Sequence, residues 1–407
     1  MSKKIIVVGG GAAGMMAAIV AKRNGGDVIL IERNDRVGKK LLATGNGRCN
    51  YTNLNIDINN YHGLSNKFAL NALTELNVDK TIEFFETLGI TPADEDNGKV
   101  YPLSFQSSSM LDVLRYEIAY LGIELITEAF VADIKKKKSF TIRLKDGRTF
   151  QGDRVILATG GMAMPVSGSD GSGYSIVKNL GHTVTEIFPG LVQLKLEGNI
   201  FKQINGVKFI GVAGIYNKNN LIVEDSGDIL FTDYGISGPP ILQISRKAIE
   251  LMSRGTNIEL RISIIHTKTK DELKEYLYKR FKNMPMKTME EGLIGLINKK
   301  LILPILKELN IDKNISVGKI ESRDIEKLAQ LLTSWSFKII GNKGWGQAQV
   351  TAGGVNTNEV SSDTMESKLV EGLYIVGELL DIDGDCGGFN LQWAWSSGYV
   401  AGINSVK

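Results

Sequence analysis

The chain has 407 residues, with 48 Lys and Arg against 45 Asp and Glu, and a formal net charge of +3. So small a charge, with no patch where aromatic and basic residues interleave, argues against a nucleic-acid partner, and no apolar stretch is long enough to span a bilayer. Two cysteines and three scattered histidines supply neither a disulfide framework nor metal-ligand spacing, so the expectation is a cytoplasmic, globular protein of two or three domains that holds no metal.

Residues 4–32, KIIVVGGGAAGMMAAIVAKRNGGDVILIE, are the first informative stretch. The opening MSKK imitates a signal peptide, but the order of strand, glycine turn and alanine-rich helix explains the segment better. Gly9, Gly11 and Gly14 fill G-x-G-x-x-G, with Ala12 and Ala13 between the last two, and Glu32 follows 18 residues after Gly14. In a dinucleotide site the first glycine permits a tight turn, the second lets the backbone approach a pyrophosphate, and the third lets helix and strand pack closely. The helix N-terminus offers N–H groups to phosphate. An acid at position 32 accepts hydrogen bonds from a ribose 2′-hydroxyl and disfavours a 2′-phosphate.

Residues 66–88 show helical spacing and stop at Gly89, predicting one helix, and residues 111–121 predict another. Residues 124–131, 139–144 and 154–158 read as strands. The basic run at 135–138 sits between FVADI and FTIRL and reads as a solvated hairpin end. From about residue 191 the pattern changes to strand-like runs (LVQLKL, VKFIGVAGIY, LIVED, DILFT, IELRISII) separated by Gly and Asn turns. SGPP from Ser237 caps a predicted helix over 240–251, with Pro tolerated in its first turn. Residues 271–340 are rich in Lys and Glu with a helical period. Alternation of strand and helix resumes near Gly344, through TAGGV and LYIVGE to a final helix carrying WAWSSGYVAG. This predicts an α/β, Rossmann-type nucleotide domain in two pieces, 1–190 and 344–407. An inserted domain occupies 191–343, β-rich over 191–265 and helical over 271–340.

Further glycine clusters separate FAD from NAD. GKKLLATGNGRCNYTN follows the second strand, VILATGG ends a later one, and GSDGSGY and GELLDIDGDCGGFN each enter a helix. An NAD-only site needs one phosphate loop; an extended flavin dinucleotide needs several backbone approaches, so FAD is the expected cofactor. No second fingerprint marks a nicotinamide domain, so the expected reductant is NAD(P)H binding transiently against the flavin, or another electron donor.

GKKLLATGNGRCNYTN, FTDYGISGPPILQIS, TAGGV, TMESK and GLYIVGELLDIDGDCGGFNLQWAWSSGYVAG resemble the BaiN/YhiN-type bacterial NAD(P)/FAD-dependent oxidoreductases. That family is also labelled aminoacetone oxidase and includes 3-dehydro-bile acid reductases. The resemblance runs from the first strand to the last helix and implies a discontinuous FAD domain, similar to glutathione reductase and fumarate reductase flavoproteins. It implies that Gly9, Gly11, Ala12, Ala13 and Gly14 meet the pyrophosphate and Glu32 the adenosine ribose, with Arg33 also in the cofactor site. Lys39, Lys40, Leu41, Thr44, Gly45, Arg48, Cys49 and Asn50 would lie along the flavin side. Val131 would meet the adenine by its backbone, and Ala158, Thr159 and Gly160 would pass beside the dinucleotide. Gly377 and Glu378, then Gly387, Gly388, Phe389, Asn390, Leu391 and Gln392, would surround the ribityl chain and ring. A helix N-terminus there would stabilise negative charge on reduced flavin. Relatives often carry His where this chain has Asp233, so a mechanism built on that His does not carry over.

Arg48 is the candidate catalytic residue, with flavin or fold stabilisation as the competing role. A Cys49–Cys386 redox pair lacks C-x-x-C spacing. Tyr101, Tyr174 and Tyr234 read as packed aromatics before they read as proton donors, and Trp393 and Trp395 as core. The leading function is an FAD-dependent oxidoreductase moving hydride through flavin N5, reducing an activated C=C in a small hydrophobic substrate. Alternatives are an oxygen-using amine or amino-ketone oxidase, and an FAD-binding redox sensor without small-molecule turnover. Oligomeric state is not readable from the chain.

Overall fold

The computed structural model describes residues 2–407; residue 1, the first of the opening MSKK, lies outside the described residues. The chain divides into two compact units, Met1–Pro189 with Ala348–Lys407, and Gly190–Gln347.

The first unit is built on five parallel strands: β1 (Lys4–Val8), β2 (Asp27–Ile31), β3 (Glu124–Ile126), β4 (Arg154–Leu157) and β5 (Leu373–Ile375), in spatial order β5-β4-β1-β2-β3. The central strands read as unbroken apolar runs because both faces are covered; Ile5, Ile6, Val155 and Ile156 are all fully buried. Helix α1 (Ala12–Arg23) joins β1 to β2, and the final helix α2 (Phe389–Ser405) packs along it. Two glycines four residues apart make that approach close. A Cβ on Gly398 would stand 2.4 Å from the Ala13 carbonyl oxygen, and one on Gly402 would stand 2.8 Å from that of Ala17. Both positions lie on one helix face.

Two sequence expectations change here. The single helix expected at 66–88 is three pieces, Asn66–Ala69, Leu70–Glu75 and Val78–Thr87. Asn77 restarts the chain as an N-cap, its side chain accepting from the Lys80 amide at 3.0 Å. The strand expected at 124–131 divides at Glu128, whose φ of +52° is left-handed. Its first part is β3, and its end opens a three-stranded antiparallel sheet of Val131–Lys136, Phe140–Leu144 and Thr149–Gly152.

In the second unit, strands Leu194–Leu196, Lys208–Asn217, Asn220–Thr232, Gly235–Ser237, Glu259–Ser263 and Trp335–Asn342 close an antiparallel barrel. Phe201, Phe231, Trp335 and Phe337 pack in its core, with the last two ring centroids 4.8 Å apart. Helices Lys270–Lys282, Lys299–Glu308 and Ser322–Thr333 share that core. The last residues of the stretch expected to be helical, 335–340, instead begin the closing strand. WSFKII alternates buried and exposed, a period of two that the helical pattern before it obscures. Asp233 is exposed in the turn before Gly235.

Candidate cofactor site

Three glycines open the site, for two different reasons. Gly9 has φ +105°, and a Cβ there would meet the Ala158 carbonyl oxygen at 2.4 Å; one on Gly14 would stand 1.8 Å from the Gly9 carbonyl oxygen. Protein atoms crowd both positions. Gly11, the N-cap of α1, is extended (φ −79°, ψ −171°), and a Cβ there would meet nothing within 4 Å. Open space therefore lies where the first-turn N–H groups of Ala12 and Ala13 and the positive helix end face outward.

Glu32, 6% exposed, closes the far side of this turn. Its Oε2 accepts from the Gly10 amide at 2.8 Å, and its Oε1 accepts from the Asn34 backbone and side-chain amides, each at 2.8 Å. Asn34 Nδ2 also donates to the Ser167 carbonyl at 3.0 Å. Arg33 pairs with Asp170 at 2.5 Å and lies 4.8 Å over the Phe130 ring. Burial raises the Asp170 carboxyl, but hydrogen bonds from Arg33 and Ser172 outweigh it and hold the group below its ordinary range. Val131, next to Phe130, is buried.

Along the next segment, Lys39 pairs with Asp35 at 2.7 Å in an exposed i,i+4 contact. Lys40 Nζ reaches Glu378 Oε2 at 2.6 Å, while Glu378 Oε1 accepts from the Thr351 amide at 2.8 Å. Leu41–Gly47 is an irregular turn, with Thr44 Oγ1 donating to the Leu41 carbonyl and Gly45 left-handed at φ +55°. Arg48 pairs with Glu95 at 2.9 Å and stacks 4.5 Å over Tyr101. Its charge is thereby matched within the protein, which favours the stabilising role over substrate contact. Cys49 is fully buried, and burial pushes its thiol up to about 12, so it packs rather than reacts. Neither Cys49 nor Cys386 forms a disulfide. Asn50 Nδ2 donates to the Thr52 and Val100 carbonyls.

The C-terminal residues return to the first turn. A Cβ on Gly377 would come 2.9 Å from that of Ala13, and Gly377 is pinned by Ser397 Oγ and Trp393 Nε1. Gly387 O accepts from Asn53 Nδ2 at 2.8 Å, and Gly388, φ +98°, lies against the Thr52 carbonyl. Phe389 meets Tyr61 edge-on, and the Asn390 amide bridges both backbone groups of Gly384. Leu391 is half-buried. Gln392 departs from expectation. Its amide is fully buried, accepting from Thr52 Oγ1 and donating to the Leu76 carbonyl and Thr81 Oγ1, so it is spent inside the core. Trp395 Nε1 donates to the Tyr51 carbonyl at 3.0 Å. Burial raises the phenols of Tyr101 and Tyr174.

The sequence reading passed over His62. Tyr61–His62 pairs antiparallel with Asp383–Gly384, and His62 Nε2 lies 2.7 Å from Asp385 Oδ1. The signal was the run DIDGD just before the last glycine pair.

The residues fit an extended dinucleotide on two counts. Open space at Gly11 is one. The other is a set of buried oxygens without a hydrogen-bond partner, Asn50 Oδ1, Thr159 Oγ1 and Ser169 Oγ, at positions that a bound ligand would satisfy. Ser169 lies beside Gly160, and neither it nor Asn34 was singled out from sequence.

Residues 3–404 match the HI0933-like protein Rossmann domain. The chain belongs to this family. Among curated relatives, it is 39% identical over 376 residues to a 3-dehydro-bile acid delta(4,6)-reductase of Clostridium scindens, covering 92% of this chain and 91% of the relative. It is 30% identical over 374 residues to a ribosomal RNA dihydrouridine synthase of Escherichia coli, covering 92% and 90%. Among solved structures, the 3-ketosteroid delta1-dehydrogenase of Sterolibacterium denitrificans matches with a TM-score of 0.50 at 13% identity, over 99% of each chain. That likeness concerns the fold. Within the HI0933-like family, then, this chain keeps nearly the whole length of its curated relatives.

Proposed function

We propose that this chain reduces a C=C bond conjugated to a carbonyl in a small apolar substrate, with NAD(P)H as the source of electrons. It is an FAD-dependent oxidoreductase. The observation that carries the finer reading is the 39% identity, across nine-tenths of both chains, with a reductase whose name specifies such a bond. Gly11 and the N-terminus of α1 would take the pyrophosphate, and Glu32 the ribose. Lys40, Asn50, Thr159 and Gly377 would line the path toward the ring. FAD, when bound, supplies hydride at N5. The protein's part is to orient the substrate, keep water away and place a proton.

A second reading has support of its own. The relatives named as rRNA dihydrouridine synthases also act on a C=C beside a carbonyl, and Lys and Arg outnumber Asp and Glu in residues 190–347 of this chain. An RNA uridine would then be the substrate.

The test is anaerobic reduction of purified protein by NADH or NADPH, followed by three challenges: a steroid 4-en-3-one, a uridine-containing RNA, and dioxygen. Fast reoxidation by the enone supports the leading reading, and by RNA the second. Reaction with dioxygen alone would favour an oxidase, and no reoxidation a sensor. No helix among the described residues is long and apolar enough to cross a membrane.

A further inference from the structure

We infer that His62, held by Asp385, is the acid that delivers the proton to carbon in the reduction proposed above, on which this assignment rests. Hydride addition to the β-carbon of an enone leaves an electron pair on the α-carbon, shared with the carbonyl oxygen. A group that carries a proton near neutral pH, and can release it, must stand nearby.

Among the ionisable side chains already placed in the first unit, Lys40 is engaged by Glu378 at 2.6 Å and Tyr101 by Arg48 at 3.3 Å. Arg48 does not give up its proton in a protein. Cys49 is buried, and Tyr61 and Tyr174 are buried phenols pushed well above their ordinary value. His182 is sealed between Glu359 and Ser367, its ring nitrogens 3.1 and 2.9 Å from their oxygens. His62 is different in kind, with a third of its side chain exposed. It is fixed by backbone pairing to the segment that ends in Gly387 and Gly388 at the start of α2.

Its partner is held on every side. The Asp385 amide donates to the Asn60 carbonyl at 2.9 Å, Asn60 Nδ2 donates to Asp385 Oδ2 at 3.1 Å, and Asn390 Nδ2 donates to the Asp385 carbonyl at 3.2 Å. With Oδ1 taking Nε2–H, the other ring nitrogen, Nδ1, is the one that carries the mobile proton. Asp385 is a positioning residue.

FAD, when bound, would supply hydride to the β-carbon; in the protonation step the electron pair left on the α-carbon takes up the His62 proton, the Nδ1–H bond breaking as the new C–H bond forms. His62 ends neutral and regains a proton from water. In total, one enone, one NAD(P)H and one proton become one saturated ketone and one NAD(P)⁺.

The experiment uses holoenzyme reduced anaerobically with NAD(P)H and then mixed with a steroid 4-en-3-one, following recovery of flavin absorbance. His62→Gln should slow reoxidation by about 100-fold, while FAD content, FAD affinity and the rate of flavin reduction by NAD(P)H stay at wild-type values. His62→Ala should recover rate when imidazole is added to the buffer, a rescue that a merely structural role would not allow. Asp385→Asn should lower the maximal rate without changing KM. Reoxidation of His62→Gln at the wild-type rate overturns the assignment. So does a loss confined to Cys386→Ser, which would give the role to the neighbouring thiol. A wild-type enzyme that no enone reoxidises would sink the reductase reading and this inference together.

Discussion

Gly11 and Gly14 look alike in the motif and differ in what surrounds them. Gly11→Val should lower the melting temperature of the flavin-free protein only by the small cost of a poor N-cap residue, because its Cβ direction is open, and should abolish FAD retention. Gly14→Ala should lower the stability of the same flavin-free protein by about 1–3 kcal/mol, the usual cost of overpacking, since a methyl would stand 1.8 Å from the Gly9 carbonyl oxygen. Thermal melts with and without FAD separate the two. An equal stability loss in both variants would mean that Gly11 is packed by protein after all. Glu32→Ala should hurt twice: it removes an acceptor for a ribose, and it leaves the buried Gly10 amide unsatisfied. The second effect should destabilise flavin-free protein by about 1–3 kcal/mol. A flavin-free melt identical to wild type would show that the Gly10 contact contributes nothing. The three glycine positions were legible from spacing alone. The second task of Glu32 was not, because a side chain reaching back across a turn leaves no periodic trace.

At the scale of elements, the helix Ser172–Asn179 is tied to the C-terminal segment through His182. Ser367 Oγ accepts from the Leu369 and Val370 amides at 3.0 and 2.9 Å, so its own hydrogen goes to His182 Nε2. His182 Nδ1–H is then left for Glu359, and the ring is held neutral. Burial lowers the His182 pKa below its ordinary 6.5, against the opposing pull of Glu359. The unfolded chain therefore takes up the proton first as pH falls. The stability contribution is complete above about pH 6.5 and is lost progressively below it, down to the lowered folded value. Denaturant melts of wild type and His182→Gln should converge as pH drops from about 7.5 to about 5.5; parallel curves would remove His182 from the acid sensitivity. Elements were legible where one pattern ran unbroken, as in β1 and α2. They were obscured where short-range chemistry interrupted it: the Asn77 cap inside an apparent helix, the left-handed Glu128 inside an apparent strand. Strand Trp335–Asn342 was hidden by the helices before it, although its alternation is plain once its partners are known.

For the whole molecule, the decisive fact is that β5 pairs with β4 while Gly377 and Gly398 rest on Ala13. A chain ending near Gly190 keeps every residue of the glycine motif and Glu32, yet lacks the strand and helix that hold α1 in place. It should fail to retain FAD. Replacing residues 190–347 by a short linker should retain it, because the barrel closes on its own core and its strands do not join the parallel sheet. Flavin absorbance after gel filtration reads both. FAD bound by the truncation as tightly as by the full chain would mean that the last sixty or so residues serve another purpose. The discontinuity was foreseeable from the return of glycine clusters after residue 344. What the sequence did not disclose was that 190–347 forms a barrel with no free edge, since closure depends on pairing between strands far apart in the chain.

That closure sets an order of events during synthesis. The barrel's last strand, Trp335–Asn342, leaves the ribosome before Leu373 does, so the barrel has all its strands while β4 still waits for β5. During that interval the β4 edge is an apolar strand with unpaired backbone groups, the kind of surface that recruits a wrong partner. Long-range parallel pairing is also slow to form. Slow translation or a stall between residues 343 and 373 should therefore raise the aggregated fraction of newly made chain, while mature protein is unaffected. Pulse-labelled synthesis with rare codons placed in that window would register the difference as insoluble label.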